Sequence, residues 1–144
     1  MLKDAENLTN FLESSGLVST LHVLNVSGRQ RMLSQRITKF CFLLALSPSA
    51  SLLEELHALC DKFQQAHDYL GRAPLSTPLI TKDLTHANTQ WQRLRGTLQN
   101  LQLADALTEI SDASERLLDS MEQLTDHYEQ AMQMLIGDRL GGLE

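Results

Sequence analysis

The sequence has 144 residues, of which 42% are hydrophobic and 21% charged, a make-up that favours one globular domain with a sizeable core. Twelve lysines and arginines against eighteen aspartates and glutamates give a net charge of −6, which argues against general nucleic-acid binding. No apolar run approaches the roughly 20 residues of a membrane span, and the N-terminus lacks the apolar segment of a signal peptide. We therefore expect a soluble domain excised from a longer protein.

Apolar residues spaced three and four positions apart predict four helices, at about 17–46, 51–70, 78–99 and 103–136. Ser51 and Glu54 form a capping-box pattern at the start of the second helix. Thr77 and Pro78 open the third, and a slip in the apolar phase near Asn100 separates it from the fourth. Long helices with short connections predict an all-α, up-down-up-down antiparallel four-helix bundle, one domain over 1–144 with a flexible tail over 137–144.

The first helix differs from the other three because it carries two seams on opposite sides. One seam is suited to the bundle core: Val26, Gln30, Leu33, Ile37, Phe40 and Leu44. The other lies roughly 160–180° away at 100° per residue, and consists of Leu17, Leu21, Leu24, Gly28, Arg31, Gln35, Thr38 and Phe42. A single four-helix bundle offers this second seam no partner. The pattern therefore predicts a parallel homodimer through the first helix.

Positive charge is concentrated in the same helix, where four cations fall between positions 29 and 39 and no carboxylate occurs between Glu13 and Glu54. In a parallel dimer, Arg31 faces Arg31 of the partner subunit, and two desolvated guanidinium groups repel each other. A planar oxyanion between them would offset that repulsion, and Gly28 one turn earlier would leave room for it. The alternative is that Arg31 only sets the register and reaches water or a carboxylate on the partner.

The segment 25–37, NVSGRQRMLSQRI, resembles the signature of PilJ-type sensor domains, found at the N-terminus of the type IV pili chemotaxis transducer. That signature is related to the P-box of nitrate/nitrite sensor kinases, although Ser27 stands where alanine is usual. The resemblance implies a helical sensor domain of a chemoreceptor or sensor kinase, usually outside the cytoplasmic membrane. In nitrate-sensing members an anion lies on the dimer axis, and the glycine and arginine beside it align with Gly28 and Arg31. The resemblance also implies a support role for Arg36.

The expected anion site therefore comprises Arg31, Gly28, Ser27 and Gln35, with Arg36 and Asn25 supporting it. We expect this dimeric sensor to bind nitrate, nitrite or a similar anion and to relay a helix shift through the last helix to an output module. The parent protein is expected to be a membrane-anchored receptor with this domain in the periplasm. The alternatives are a ligand-free dimerisation and relay bundle, a metal or haem binder, and the same fold in the cytoplasm.

Other chemistry-bearing residues give weaker patterns. His57, Cys60 and His67 lie near one face of the second helix, but about 15 Å of helix axis separates the two histidines, so one metal ion cannot use all three. Cys41 and Cys60 lie on apolar faces and are expected to be small buried hydrophobes. Because no nucleophile–base pair, phosphate loop or carboxylate pair emerges, we expect no cofactor, no metal and no enzymatic activity.

Overall fold

A computed structural model describes residues 17–73, 75–101 and 104–141. These residues form four α-helices and no strand: α1 (Leu17–Leu46), α2 (Ala50–Arg72), α3 (Pro78–Leu98) and α4 (Ala106–Gly141). Helix α1 packs against α2 and α4, and α3 packs closely against α4 and more sparsely against α2. The predicted all-α four-helix bundle is therefore confirmed.

Side-chain hydroxyl oxygens cap the N-termini of two of the helices. The Thr77 hydroxyl accepts a hydrogen bond from the Ile80 N–H at 3.2 Å, with Pro78 as the first helical residue, as predicted. At the start of α2 the cap is Ser49, whose hydroxyl oxygen accepts from the Leu52 N–H at 3.4 Å. The predicted capping box of Ser51 and Glu54 is therefore wrong, because the extended backbone ends at Ser49 and leaves Ser51 inside the first turn.

The fourth helix differs from its prediction at both ends. It begins at Ala106 rather than near position 103, after a break that includes Asn100 and Leu101. It continues to Gly141 and so includes 137–141, the first part of the predicted tail, while 142–144 lie outside the described residues. Gly137 costs a helix only about 1 kcal/mol relative to alanine, and no proline follows it to stop the helix.

Contacts between the helices set an antiparallel register. Between α1 and α4, Ser27 pairs with Thr125 and Arg31 pairs with Glu122, so residue numbers rise along one helix as they fall along the other. Between α3 and α4, Arg93 bridges to both Glu109 and Asp112 at the opposite end of the bundle from the Asp83–His127 pair.

Aromatic and aliphatic side chains fill the centre of the bundle. Trp91 is fully buried, its ring centre lies 4.3 Å from that of Phe63, and its indole N–H donates to Gln64 Oε1 at 2.8 Å. A buried indole therefore has both its packing and its hydrogen bond satisfied. Helix α4 contributes half of the remaining large, fully buried side chains: Ile110, Leu117, Met121, Leu124 and Tyr128.

Two polar side chains tie α1 to its neighbours at the level of the signature segment 25–37. The buried Gln30 amide donates to the Phe63 carbonyl oxygen of α2 at 2.9 Å. The buried Ser27 hydroxyl lies 2.8 Å from the Thr125 hydroxyl of α4. Because buried hydrogen bonds are costly to break, α1 has a fixed rotation and height within the bundle at this level.

Candidate functional site

The rotation of α1 decides which signature residues are available to a ligand. Of the predicted core seam, Val26, Gln30, Ile37 and Leu44 are buried, and Leu33 and Phe40 are half-buried. The buried face also includes polar residues that the prediction missed, among them Thr20, Ser27 and Ser34, and Cys41, whose burial was predicted. These residues turn the buried face of α1 toward α4.

The exposed face of α1 is correspondingly rotated from the predicted second seam, by roughly 60°. Leu24, Thr38 and Phe42 were expected to face a second subunit but are half-buried, and Leu24 and Phe42 pack against the core. Met32, which the prediction omitted, is 68% exposed. The outward stripe is Val18, Leu21, Asn25, Gly28, Met32, Gln35 and Lys39.

Arg31 lies at the edge between this outward stripe and α4. Its Nη2 is 3.1 Å from Glu122 Oε1, and the two side chains are 50% and 44% exposed. An ion pair at this exposure stabilises a fold by at most about 1 kcal/mol, since water competes for both groups. Arg31 is therefore paired within its own chain, by a weak interaction that another anion could replace.

Gly28 and Gln35 lie on the outward side of α1, on either side of the level of Arg31. A Cβ added at Gly28 would meet no atom within 4 Å, so packing inside the subunit does not require glycine there. Gln35 is exposed and borders a shallow groove of about 160 Å³ between α1 and α4, together with Ser34 and Glu115. Together with Arg31 and with Asn25, which is exposed one turn before Gly28 on the outward stripe, these two positions are the predicted site residues that share an accessible surface.

Ser27 and Arg36, the other predicted site residues, lie apart from them. Ser27 is on the side facing α4, where it is buried and hydrogen-bonded to Thr125, so a ligand on the outward face does not reach it. Asn25 and Arg36 are exposed. The Arg36 guanidinium carbon lies 5.9 Å from the ring centre of Phe40 on the same helix, a cation–π distance.

Glu122 is the residue of this region that the sequence did not reveal. It follows Met121, a core residue of α4, and nothing in its immediate neighbourhood marks it. Only the register between α1 and α4 brings it to Arg31. Once that register is known, an acidic residue at this level of the last helix can be predicted to pair with Arg31.

The cysteine and histidine residues of α2 do not converge on a ligand. Cys60 and His67 are buried while His57 is exposed, and within the described ranges no three His, Cys, Asp or Glu side chains are grouped as a metal site. Burial lowers the pKa of His67, whose ring stacks on Phe63. Cys41 and Cys60 are buried free thiols, and burial raises their pKa values to about 12 and about 11.

The model of the family described as "type IV pili methyl-accepting chemotaxis transducer N-term", PilJ, matches residues 15–102. The chain belongs to the PilJ family. The match spans α1, α2 and α3, including the signature segment, so the predicted resemblance to PilJ-type domains is confirmed. No curated protein and no solved structure matches this PilJ domain.

Membership of the PilJ family makes this a signalling domain of the chemotaxis transducer type, and PilJ is not a known enzyme family. None of the described helices has the combined length and apolarity that a membrane span requires.

Proposed function

We propose that this PilJ domain is a dimeric sensor that binds a small planar oxyanion, nitrate or nitrite, between Arg31 of one subunit and Arg31 of its partner. The observation that carries the proposal is the position of Arg31, which lies beside the outward stripe of α1 and forms a half-exposed ion pair with Glu122. The choice of anion is supported by the family signature, because Arg31 aligns with the arginine that lies beside the anion in nitrate-sensing members.

The proposed dimer interface is the outward stripe of α1. Five of the nine large hydrophobic side chains found exposed in the described structure belong to this one helix: Val18, Leu21, Met32, Leu43 and Leu46. Helix α1 also contains no carboxylate, so two copies packed in parallel would bring cations together without compensating acids. Gly28, in the middle of the stripe, supports close approach of two helices because it has no side chain and its own subunit does not need it empty.

An anion at the dimer axis would relieve the repulsion between the two Arg31 side chains. Each guanidinium presents coplanar N–H donors, which match the coplanar oxygens of nitrate in paired hydrogen bonds. A spherical anion such as chloride offers this fork no pair of oxygens, so the geometry favours an oxyanion.

In this proposal the anion competes with Glu122 for Arg31. When Arg31 turns toward the anion, α1 and α4 lose one tie at this level while the Ser27–Thr125 hydrogen bond remains. Helix α4 would then shift relative to α1 and carry the change to an output module of a membrane-anchored receptor, with this domain in the periplasm. Such a shift requires that the anion bind one arrangement of α4 more tightly than the other.

The variant Arg31→Ala tests the site. We expect it to abolish nitrate binding in a calorimetric titration while its circular dichroism spectrum remains that of a helical protein. Arg29→Ala is the matched control, because it removes the same charge from the same helix at a residue on the flank that faces α2. Unchanged nitrate affinity in Arg31→Ala would overturn the assignment.

A second candidate function is a dimerisation and relay bundle without a small ligand. The observation in its favour is the Arg31–Glu122 ion pair, which already neutralises Arg31 within the subunit and so requires no external anion. A thermal-shift screen with nitrate, nitrite, sulfate and acetate separates the two functions. Stabilisation by nitrate or nitrite supports the sensor, and the absence of any shift supports the relay bundle.

A further inference from the structure

A second groove opens on the other flank of α1, between α1 and α2. It encloses about 360 Å³ and has an apolar floor to which Val26, Leu33 and Ala66 contribute. That volume is at the lower end of the range of small-molecule pockets, roughly 300–1,000 Å³, and the mixture of an apolar floor with a few polar groups is typical of them. Nitrate alone would fill only a small part of this space.

Two cations from different helices border the groove, Arg29 from α1 and Lys62 from α2. Neither forms an ion pair with a described residue. Neither has an acid three or four positions away on its own helix, since those positions hold Asn, Val, Met and Leu around Arg29 and Ala, Leu, Gln and Ala around Lys62. No carboxylate lines the groove, so both positive charges are available to a ligand.

Aromatic rings close one end of the groove. His22 and Tyr69 pack edge to face, with ring centres 5.2 Å apart and an angle of 68° between their planes. The Gln30 amide, which also lines the groove, donates to the Phe63 carbonyl oxygen and so fixes the spacing of α1 and α2 at this level. The groove therefore has a fixed spacing between its two helices at this level and presents apolar and aromatic surface beside positive charge.

We propose that this groove is a second ligand site, for a small monocarboxylic acid with an aromatic or branched aliphatic body. The carboxylate would lie between Arg29 and Lys62, and the apolar body would cover the floor and the edge of Tyr69. This proposal is independent of the anion site at Arg31, because the two cations and the floor belong to the opposite flank of α1.

Calorimetric titration of the 144-residue protein with benzoate, phenylacetate and 3-methylbutanoate tests this site. We expect at least one of the three to bind with a dissociation constant below about 1 mM. Benzamide, which has the shape of benzoate without its charge, should bind at least about fivefold more weakly than benzoate if benzoate is the acid that binds. Failure of all three acids to bind overturns the proposal.

Charge-removing variants locate the site. Arg29→Gln and Lys62→Gln should each weaken binding of the acid by about fivefold, and the double variant by about 25-fold if the two effects add. Arg36→Gln, an equivalent change on α1 outside the groove, should have no effect. Circular dichroism checks that each variant remains helical. Equal affinity in the double variant and the parent protein would place the acid elsewhere and overturn the proposal.

One further variant separates this site from the proposed nitrate site. Arg31→Ala should keep its affinity for the acid, even where it has lost nitrate, and saturating nitrate should not displace the acid from the parent protein. Loss of acid binding in Arg31→Ala would show that one site serves both ligands and would overturn the groove assignment.

Discussion

Replacing Glu122 by glutamine should strengthen nitrate binding. The change removes the negative charge that pairs with Arg31 at 3.1 Å but keeps the length of the side chain and an oxygen that accepts a hydrogen bond. In the proposed mechanism, nitrate must first displace Glu122 from Arg31 of the parent protein. In Glu122→Gln that displacement costs less, so the same binding contacts leave a larger net free energy of binding.

The size of the effect follows from the exposure of the pair. Because both side chains are about half exposed, the ion pair contributes at most about 1 kcal/mol. A difference of 1.4 kcal/mol corresponds to a factor of ten in affinity, so the expected gain is roughly two- to fivefold for each Arg31. Salt screens both the ion pair and the anion, and the measurement is therefore made at low and constant ionic strength.

Calorimetric titration with nitrate compares Glu122→Gln with the parent protein and with Glu129→Gln. The control removes the same charge from an exposed position two turns further along α4, where no ion pair to Arg31 is formed. A gain in Glu122→Gln alone supports competition for Arg31. Equal or weaker nitrate binding in Glu122→Gln would refute the competition between nitrate and Glu122. If Arg31→Ala also loses nitrate binding, the assignment of the nitrate site to Arg31 is still supported.

Three further variants test the buried and outward faces of α1. Ser27→Ala should leave nitrate affinity unchanged, and a loss of nitrate binding would contradict the buried position of Ser27. The same variant should alter the free energy of unfolding in urea by less than about 1 kcal/mol, because the Thr125 hydroxyl still donates to the Met121 carbonyl oxygen. Gly28→Ala should stabilise the monomer by up to about 1 kcal/mol but weaken dimerisation in sedimentation analysis, and equal dimerisation would remove Gly28 from the interface. Because burial raises the pKa of Cys41 from 9.0 to about 12, folding favours its protonated form, so the stability it contributes is complete below pH 9 and is lost between pH 9 and 12. The melting temperature of Cys41→Ala should fall less steeply between pH 9 and 12 than that of the parent protein. An identical dependence of melting temperature on pH in the two proteins would contradict this.

The four-helix architecture could be predicted because its determinants are local. The apolar spacing of each helix and the Thr77–Pro78 start depend on residues within a few positions of each other. The error at Ser49 has a local cause as well. Two serines flank Ala50, and the choice between them depends on where the extended backbone after Pro48 ends, which a capping-box pattern does not encode.

The rotation of α1 could not be predicted from apolar spacing, because small polar residues occupy part of its buried face. Ser27 and Ser34 are as buried as the neighbouring aliphatic residues, and both form hydrogen bonds there. If serine is assigned to the surface, the predicted buried face of α1 is therefore rotated away from α4. The same limitation concealed Glu122, since its contact with Arg31 depends on the register between helices that lie far apart in the sequence.

Successive residues of the signature segment point to different neighbours, and this explains why its cations do not form one basic patch. At 100° per residue, Arg29 borders the groove with α2, Gln30 enters the core and bonds to the α2 backbone, and Arg31 reaches Glu122 on α4. Arg36 contacts its own helix through Phe40. A polyanion needs several cations on one surface, whereas this helix divides its cations. Arg29 and Arg36 lie on one side, and Arg31 lies roughly 160° around the helix axis from Arg29. The arrangement therefore favours small anions, each held by one or two cations, and a change at one flank leaves the binding surface of the other intact.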